Sequence, residues 1–404
     1  MTVRRLRVLI DARMLLGRFS GVARVVTRLV DTLARYDDLR IVALCGDEAY
    51  EPWSHRTDID IIVSDFSRRD RSPIRRMLWE GTRLRGWIRR AGPDLFHAAW
   101  NHGVPARCPV PAILTIHDLI PWQEPQACFS NHLQLACYRH AIRTSARRAS
   151  SITTVSAFTR RTVLERLRVE ESCVSVVPNG VDQPPLISGP TPQRVQAERP
   201  SRPYVLYVGG HEDRKNVETI LAAMESYWAR FDSSLELRLT GAPDALSQPA
   251  AEVYRRIPGA APIRFLGSPN DEELACQYAS AGALLMLSRA EGFGLPVLEA
   301  MAHGCPVIAA RAGALPEVIA EAGILVDPSD ADAAAGAIRQ VLTSSDLAQR
   351  LAQRGRDRAS FFSWKITADA YRNLYRAAAS GRPVALGPRT QEKRRRLFIG
   401  GARY

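Results

Sequence analysis

Short apolar runs recur along the chain, each followed by a polar turn and then by a stretch whose apolar residues return every three or four positions. Arg7–Asp11, Arg40–Cys45, Ile59–Val63, Pro93–His97, Ala112–His117, Ser151–Val155 and Val174–Val177 form a first series. Tyr204–Val208, Leu235–Thr240, Ile263–Gly267, Ala283–Leu287 and Val307–Ala309 form a second. Most are continuously apolar instead of alternating, the pattern of strands buried on both faces of a parallel sheet. Between strands, residues 22–36 place apolar side chains at 22, 25, 26, 29, 30 and 33, one face of a helix. Strand and helix alternating in this way, twice over, predict an α/β fold with two doubly wound parallel sheets.

The length of 404 residues suits two domains better than one. Residues 184–203 are proline-dense and without pattern, and are read as a linker between a first domain, 1–183, and a second, 204–360. A further helix is expected over 361–380. The remainder, 381–404, carries Lys393-Arg-Arg-Arg396 beside Leu397-Phe398-Ile399 and is expected to be a disordered basic arm, with a membrane contact as the other reading.

Chemistry concentrates in Ser288-Arg-Ala-Glu291-Gly-Phe-Gly294-Leu-Pro296-Val-Leu-Glu299-Ala-Met-Ala-His-Gly304. A strand there runs into a glycine-rich turn and a short helix. Pro296 is expected at the first helical position, Glu299 in the first turn and Gly304 just past the end. Such a turn presents unpaired N–H groups and a helix dipole to an anion. Its two flanking carboxylates, Glu291 and Glu299, would repel a bare phosphate, so they suit a ligand that also offers hydroxyls. The plainer reading is a solvated Glu291 and a Glu299 that complements the helix dipole.

Composition narrows the class. Seven scattered cysteines without a C-x-x-C pair argue against a disulfide frame or zinc site. With no signal peptide and no long apolar run, a soluble or peripheral protein is expected, cytoplasmic or on the cytoplasmic face of a membrane. Of the 55 basic residues only Lys215, Lys365 and Lys393 are lysines. Lys215, inside Arg214-Lys215-Asn216, therefore marks a place where a compact point charge is wanted; chance placement is the alternative. Residues 67–90 and the series Arg139, Arg143, Arg147 are basic amphipathic faces, either solvated or turned to anionic lipid. Asp58-Ile-Asp60 and Asp330-Ala-Asp332 look like metal pairs but sit on a strand edge and a helix start, so both are read as structural. The net charge of +13 could serve nucleic acid, yet the arginines are dispersed and no reader motif appears, so no nucleic-acid partner is expected.

The run from Glu291 to Pro306 resembles the two-glutamate signature of the retaining nucleotide-sugar glycosyltransferases of family 4. Tyr207-Val-Gly209 with Arg214-Lys215-Asn216, His117-Asp118-Leu-Ile-Pro121, and Asn179-Gly180 resemble further signatures of that family. The resemblance spans about residues 6–379 and implies a GT-B architecture, two Rossmann-like domains facing across a cleft, with the 361–380 helix crossing back to the first. It implies transfer of a hexosyl group, with retention and no metal or other cofactor, from a nucleoside-diphosphate sugar to a glycan or lipid-linked acceptor. His117, Glu291, Lys215 and Arg214 would be the catalytic groups. Gly209, Gly210, Gly292, Phe293, Gly294, Leu295 and Glu299 would bind the donor, and Gly21 and Asp118 would lie on the acceptor side. His97, at the carboxyl end of a strand run, is a further acceptor-side candidate, with a capping or packing residue as its plainer reading. Gly210 departs from relatives that carry arginine there, which shifts the first phosphate contact to Arg214. Mannose from GDP-mannose, in surface-polysaccharide assembly, is the expected chemistry; UDP-glucose as donor, or a phosphorylase or epimerase on the same fold, are the alternatives.

Overall fold

The computed structural model describes residues 4–15, 21–47, 53–129, 131–184, 203–259 and 261–381. The tail, most of the linker, and residues 16–20 of the turn before Gly21 lie outside the described residues. The described chain forms two compact units: one runs to Gly180 and resumes at Trp364, the other spans Val181–Ser363.

The first unit is built on a seven-stranded parallel sheet. Its strands are β1 (Leu6–Asp11), β2 (Leu39–Cys45), β3 (Ile59–Val63), β4 (Leu95–Ala98), β5 (Ala112–Ile116), β6 (Ser151–Thr154) and β7 (Val174–Val176), in the order β3-β2-β1-β4-β5-β6-β7. The helix expected over 22–36 spans Gly21–Leu33 and buries Val25, Val26, Leu29, Val30 and Leu33, as the periodicity requires. The basic stretch 67–90 resolves into a 3-10 turn, Arg68–Arg71, and two helices, Pro73–Thr82 and Leu84–Ala91, the second ending at Gly92 in the left-handed region (φ 55°). The second unit holds a six-stranded parallel sheet of β8 (Tyr204–Tyr207), β9 (Glu236–Leu239), β10 (Ile263–Phe265), β11 (Ala283–Met286), β12 (Val307–Ala310) and β13 (Ile324–Val326), in the order β10-β9-β8-β11-β12-β13.

The boundary falls at Gly180, three residues before the one expected, because Val181 pairs with Ser363 and its N–H donates to Phe362 O (3.0 Å). The helix Trp364–Ala379 belongs to the first unit, where Ala368, Tyr371, Leu374 and Tyr375 join the core beneath β1 and β2. None of the described helices is long and apolar enough to cross a membrane.

The acidic pairs are structural. Asp58 pairs with Arg56, and Asp60 with Arg7 and Arg40. Asp330 caps the helix Ala331–Thr343 through Ala333 N (2.8 Å). Of the basic face on the helix His132–Arg148, Arg139 and Arg143 stack over Trp122 at 5.2 and 4.7 Å, so this face is partly packed and not simply solvated.

His97 is the principal correction in this unit. Its side chain is fully buried under the Trp364–Ala379 helix, with Nε2 on Thr115 Oγ1 (2.7 Å) and Nδ1 on the Tyr375 hydroxyl (2.7 Å). Both ring nitrogens serve the core, so it is a packing residue with nothing to offer an acceptor. Burial, and then the nearby His117, lower its pKa to about 3. An unfolded histidine titrates near ~6.5, so protonation favours the unfolded chain. The stabilisation is complete above that pH and is lost as pH falls toward the folded value. Between pH 6 and 5 the unfolding free energy is expected to fall by about 1 kcal/mol per pH unit from this group. Denaturant titrations of wild type and His97→Asn test it: the variant's pH slope should be shallower by that amount, and equal slopes would contradict it.

Candidate functional site

In the second sheet the strand order reverses between β8 and β11, which are neighbours there. Ligands of open α/β sheets bind beyond the carboxyl ends of the strands at such a switch point. The loops leaving these two strands carry Arg214-Lys215-Asn216 and Ser288-Arg-Ala-Glu291. Asn216 fastens them together. It sits in the left-handed region (φ 59°), its Nδ2 donating to Leu287 O (2.8 Å) and Pro328 O (2.6 Å) and its Oδ1 accepting from Thr219 Oγ1 (2.7 Å). Arg289 adds a second tie: its N–H donates to Arg214 O (2.9 Å), and its guanidinium reaches Asp213 O (2.9 Å) and Glu218 Oε1 (2.6 Å).

These ties bring Lys215 and Glu291 into contact. Lys215 Nζ donates to Glu291 Oε1 at 2.6 Å, both residues are buried, and Arg214 Nη1 stands 3.8 Å from the same oxygen. Burial pushes the Glu291 carboxyl up, but Lys215 and Arg214 outweigh it and hold it below the usual carboxylate range. The solvated-loop reading of Glu291 is therefore excluded. Its backbone is clasped by residues 313–314: Ala314 N donates to Glu291 O (3.0 Å), and a Cβ on Gly313 (φ 58°) would stand 2.6 Å from Glu291 N.

The helix after the turn begins at Leu295, with Gly294 (φ 99°) as its cap. Pro296 is thus its second residue and Glu299 its fifth, one residue deeper than expected and past the first turn. Dipole complementation fades beyond the first turn, so Glu299 needs another partner. Tyr278, from the helix Asp271–Ser280, donates its hydroxyl to Glu299 Oε2 (2.9 Å) and stacks on His303, whose Nδ1 donates to Glu299 O (2.8 Å). Tyr278 and Arg289 are residues to which local sequence patterns gave no role, and Asn216 stood in a motif without one; each acts across more than twenty positions of chain.

The other donor-side positions divide. Gly292 is buried in the turn, Leu295 opens the helix, and Phe293 packs edge-on against Phe362 (6.0 Å), a core contact. Gly209 N–H is taken by Thr240 Oγ1 (2.9 Å), while Gly210 is exposed and its carbonyl accepts from the Tyr207 hydroxyl.

In the first unit His117 follows β5 and is buried. Its N–H donates to Asn101 Oδ1 (2.7 Å) and its Nε2 to Ala99 O (3.0 Å). A carbonyl only accepts, so Nε2 carries the proton and Nδ1 is left as the acceptor. Burial lowers its pKa to about 4, against the Ala99 bond, so the ring is neutral near pH 7. Asp118 turns its carboxylate back to Ile120 N (3.2 Å), and Gly21 is exposed at the start of its helix. Among the described residues no group of three or more His, Cys, Asp or Glu side chains is arranged to hold a metal.

Matches to known proteins cover both units. Residues 191–358 match the family model for glycosyl transferases group 1, and residues 19–183 that for glycosyltransferase family 4. The chain is 28% identical over 299 residues to O-antigen chain mannosyltransferase B of Escherichia coli, covering 73% of this chain and 77% of that one. It is 30% identical over 322 residues to glycogen synthase of Mycobacterium tuberculosis, covering 76% and 74%. A solved structure of HepE from Anabaena in complex with UDP and glucose superposes with a TM-score of 0.70 at 18% identity, covering 92% of this chain and 100% of that one.

Removing one partner of a buried ion pair strands the other. Lys215→Ala and Glu291→Ala should each destabilise the protein by about 3 kcal/mol, and the double variant by clearly less than their sum. Urea unfolding of the four proteins measures this; additive losses would mean that the pair is not coupled.

Proposed function

The chain belongs to the glycosyltransferases of group 1 and family 4, with their GT-B pair of Rossmann-like units, and from that membership we propose how it works and on what. The proposed reaction moves a hexosyl group, with retention, from a nucleoside-diphosphate sugar to a glycan or lipid-linked oligosaccharide. The observation that carries the reading is Lys215 and Arg214 converging on Glu291 at the switch point of the second sheet.

Breaking the anomeric bond leaves negative charge on the β-phosphate, and preorganised positive groups where charge develops are the largest catalytic resource. Lys215 and Arg214 supply them in this reading, without a metal, and the amides near Gly210 and Gly292 assist. Glu291, held ionised by the same cations, accepts from the hexose hydroxyls. Glu299, oriented by Tyr278, accepts from the ribose. His117 contributes a neutral imidazole whose Nδ1 accepts from a hydroxyl of the transferred sugar. No protein nucleophile is assigned; the acceptor attacks on the face that the leaving diphosphate vacates.

Mannose from GDP-mannose is the preferred donor, because a relative is an O-antigen chain mannosyltransferase. UDP-glucose is the competing one, supported by a structural neighbour solved with UDP and glucose. Assembly of a surface polysaccharide on the cytoplasmic face of a membrane suits the first. Exposed Leu78 and Leu133, on the mutually packed helices Pro73–Thr82 and His132–Arg148, with exposed Arg75, Arg83 and Arg147, fit an anionic lipid surface.

Lys215→Ala and Glu291→Ala should each lower turnover by more than ~10²; near-normal turnover in folded Lys215→Ala would remove the phosphate role. A thermal-shift screen should show stabilisation by one nucleoside diphosphate and its sugar, and product analysis with and without acceptor separates transfer from phosphorolysis or epimerisation. Vesicles containing phosphatidylglycerol should sediment the protein in a salt-sensitive way, whereas pure phosphatidylcholine should not. Equal sedimentation with both would exclude the anionic-surface proposal.

A further inference from the structure

The first sheet has its own switch point, between β1 and β4, and a buried ionic network lies there. Arg13, just beyond β1, grips Asp11 with two bonds, Nε to Oδ1 (2.8 Å) and Nη2 to Oδ2 (2.7 Å). The same Nη2 reaches Glu80 Oε1 (3.2 Å), which also accepts from Arg76 Nε (2.9 Å). Glu80 Oε2 accepts from His102 Nδ1 (2.9 Å) on the loop after β4. Arg13 is 1% exposed, with its guanidinium over the rings of Phe66 (4.9 Å) and Trp79 (4.5 Å). Two guanidinium and two carboxylate groups balance in charge. Burial, and then Arg76, lower the His102 pKa, so its ring is neutral.

Such a network is an inefficient way to stabilise a fold, since desolvation consumes much of what the ion pairs return. Arg13 Nη1 and Arg76 Nη2, both buried, find no hydrogen-bond partner among the described residues. What the network does secure is the path of residues 99–103. His102 ties this loop to Glu80, and Gly103 (φ 115°) brings its backbone so near that a Cβ would stand 3.3 Å from Glu80 Oε1. Trp100 lies under the Arg76 guanidinium (5.3 Å) and tilts against the His117 ring (6.5 Å). Ala99 and Asn101 of this loop supply the acceptors for the His117 ring Nε2–H and backbone N–H.

We infer that Glu80, clamped by Arg13 and Arg76, is a positioning residue that acts through His102 and the 99–103 loop to hold His117 in its Nε2–H form. This rests on the sugar-contact role proposed for His117, which the test separates from the positioning claim.

The test uses the full chain with 15N-labelled histidine, and compares wild type, His102→Ala and His102→Asn, the last keeping a donor where Nδ1 stood. Imidazole nitrogen correlations report the His117 tautomer without any substrate. The Nε2–H form is expected in wild type and His102→Asn, and a mixed or shifted ring in His102→Ala. Unchanged His117 signals in a folded His102→Ala would overturn the inference. Nucleotide release from GDP-mannose and UDP-glucose supplies the kinetic arm. His102→Ala should lose about tenfold or more in kcat with donor KM little changed, and His102→Asn should recover most of it. The His102→Ala/His117→Ala double variant should be no slower than His117→Ala alone. Losses that multiply, or no loss in His102→Ala where His117→Ala is impaired, would overturn the inference alone. Wild-type turnover in His117→Ala would overturn the sugar-contact reading with it.

Discussion

A buried ammonium on a buried carboxylate, Lys215 on Glu291, is the constraint around which the second unit is organised. In isolation such a pair is a poor source of stability, because stripping water from both charges offsets their attraction. The surrounding structure nevertheless commits several ties to it. Asn216 and Arg289 fasten the two loops, and Gly313 lies flat against the Glu291 backbone. Investment of this kind makes chemical sense if the two charges are to meet a ligand that bears both phosphate oxygens and hydroxyls. The cation is matched to the first and the ionised carboxylate to the second. Lysine in a chain that uses arginine almost throughout fits the same demand, since an ammonium is a compact point charge where a guanidinium is a planar fork.

Much of this was legible in the sequence, and the limits of legibility are physical. Continuous apolar runs gave the parallel strands, because a strand covered on both faces has no polar side to alternate with. The glycine turn, the two glutamates and the rare lysine were visible for a similar reason: each is a departure from a local pattern. What stayed hidden was pairing across distance. No spacing says that Lys215 lies on Glu291, that Tyr278 supports Glu299, or that Arg13 reaches Glu80 from another element. His97 failed in the opposite sense. It ends a strand run, as a site histidine would, yet the helix Trp364–Ala379 returns from the far end of the chain and covers it with Tyr375. The fifth-residue position of Glu299 has a smaller cause, a helix that starts at Leu295 and so takes Pro296 as its second residue.

The two sheets solve related problems at equivalent places. Each reverses its strand order once among the described residues, and at each reversal charged groups from two separate elements meet. In the second unit the charges are few and the cations outnumber the glutamate they share, which suits an anionic ligand. In the first they balance and are sealed away, and the group they present is the neutral His117, donating from Nε2 and accepting at Nδ1. A charged site and a neutral one are what a diphosphate and a sugar hydroxyl respectively require.

The central claim is that Lys215 holds the diphosphate of the donor, and phosphorus NMR reads that contact directly. Titrating GDP and UDP into wild-type protein and into folded Lys215→Ala, with the β-phosphorus followed in each, isolates the group concerned. A β-phosphorus shift on binding one of the nucleotides to wild type, and its loss together with most of the affinity in Lys215→Ala, is the predicted result. The same shift and the same affinity in both proteins would contradict it.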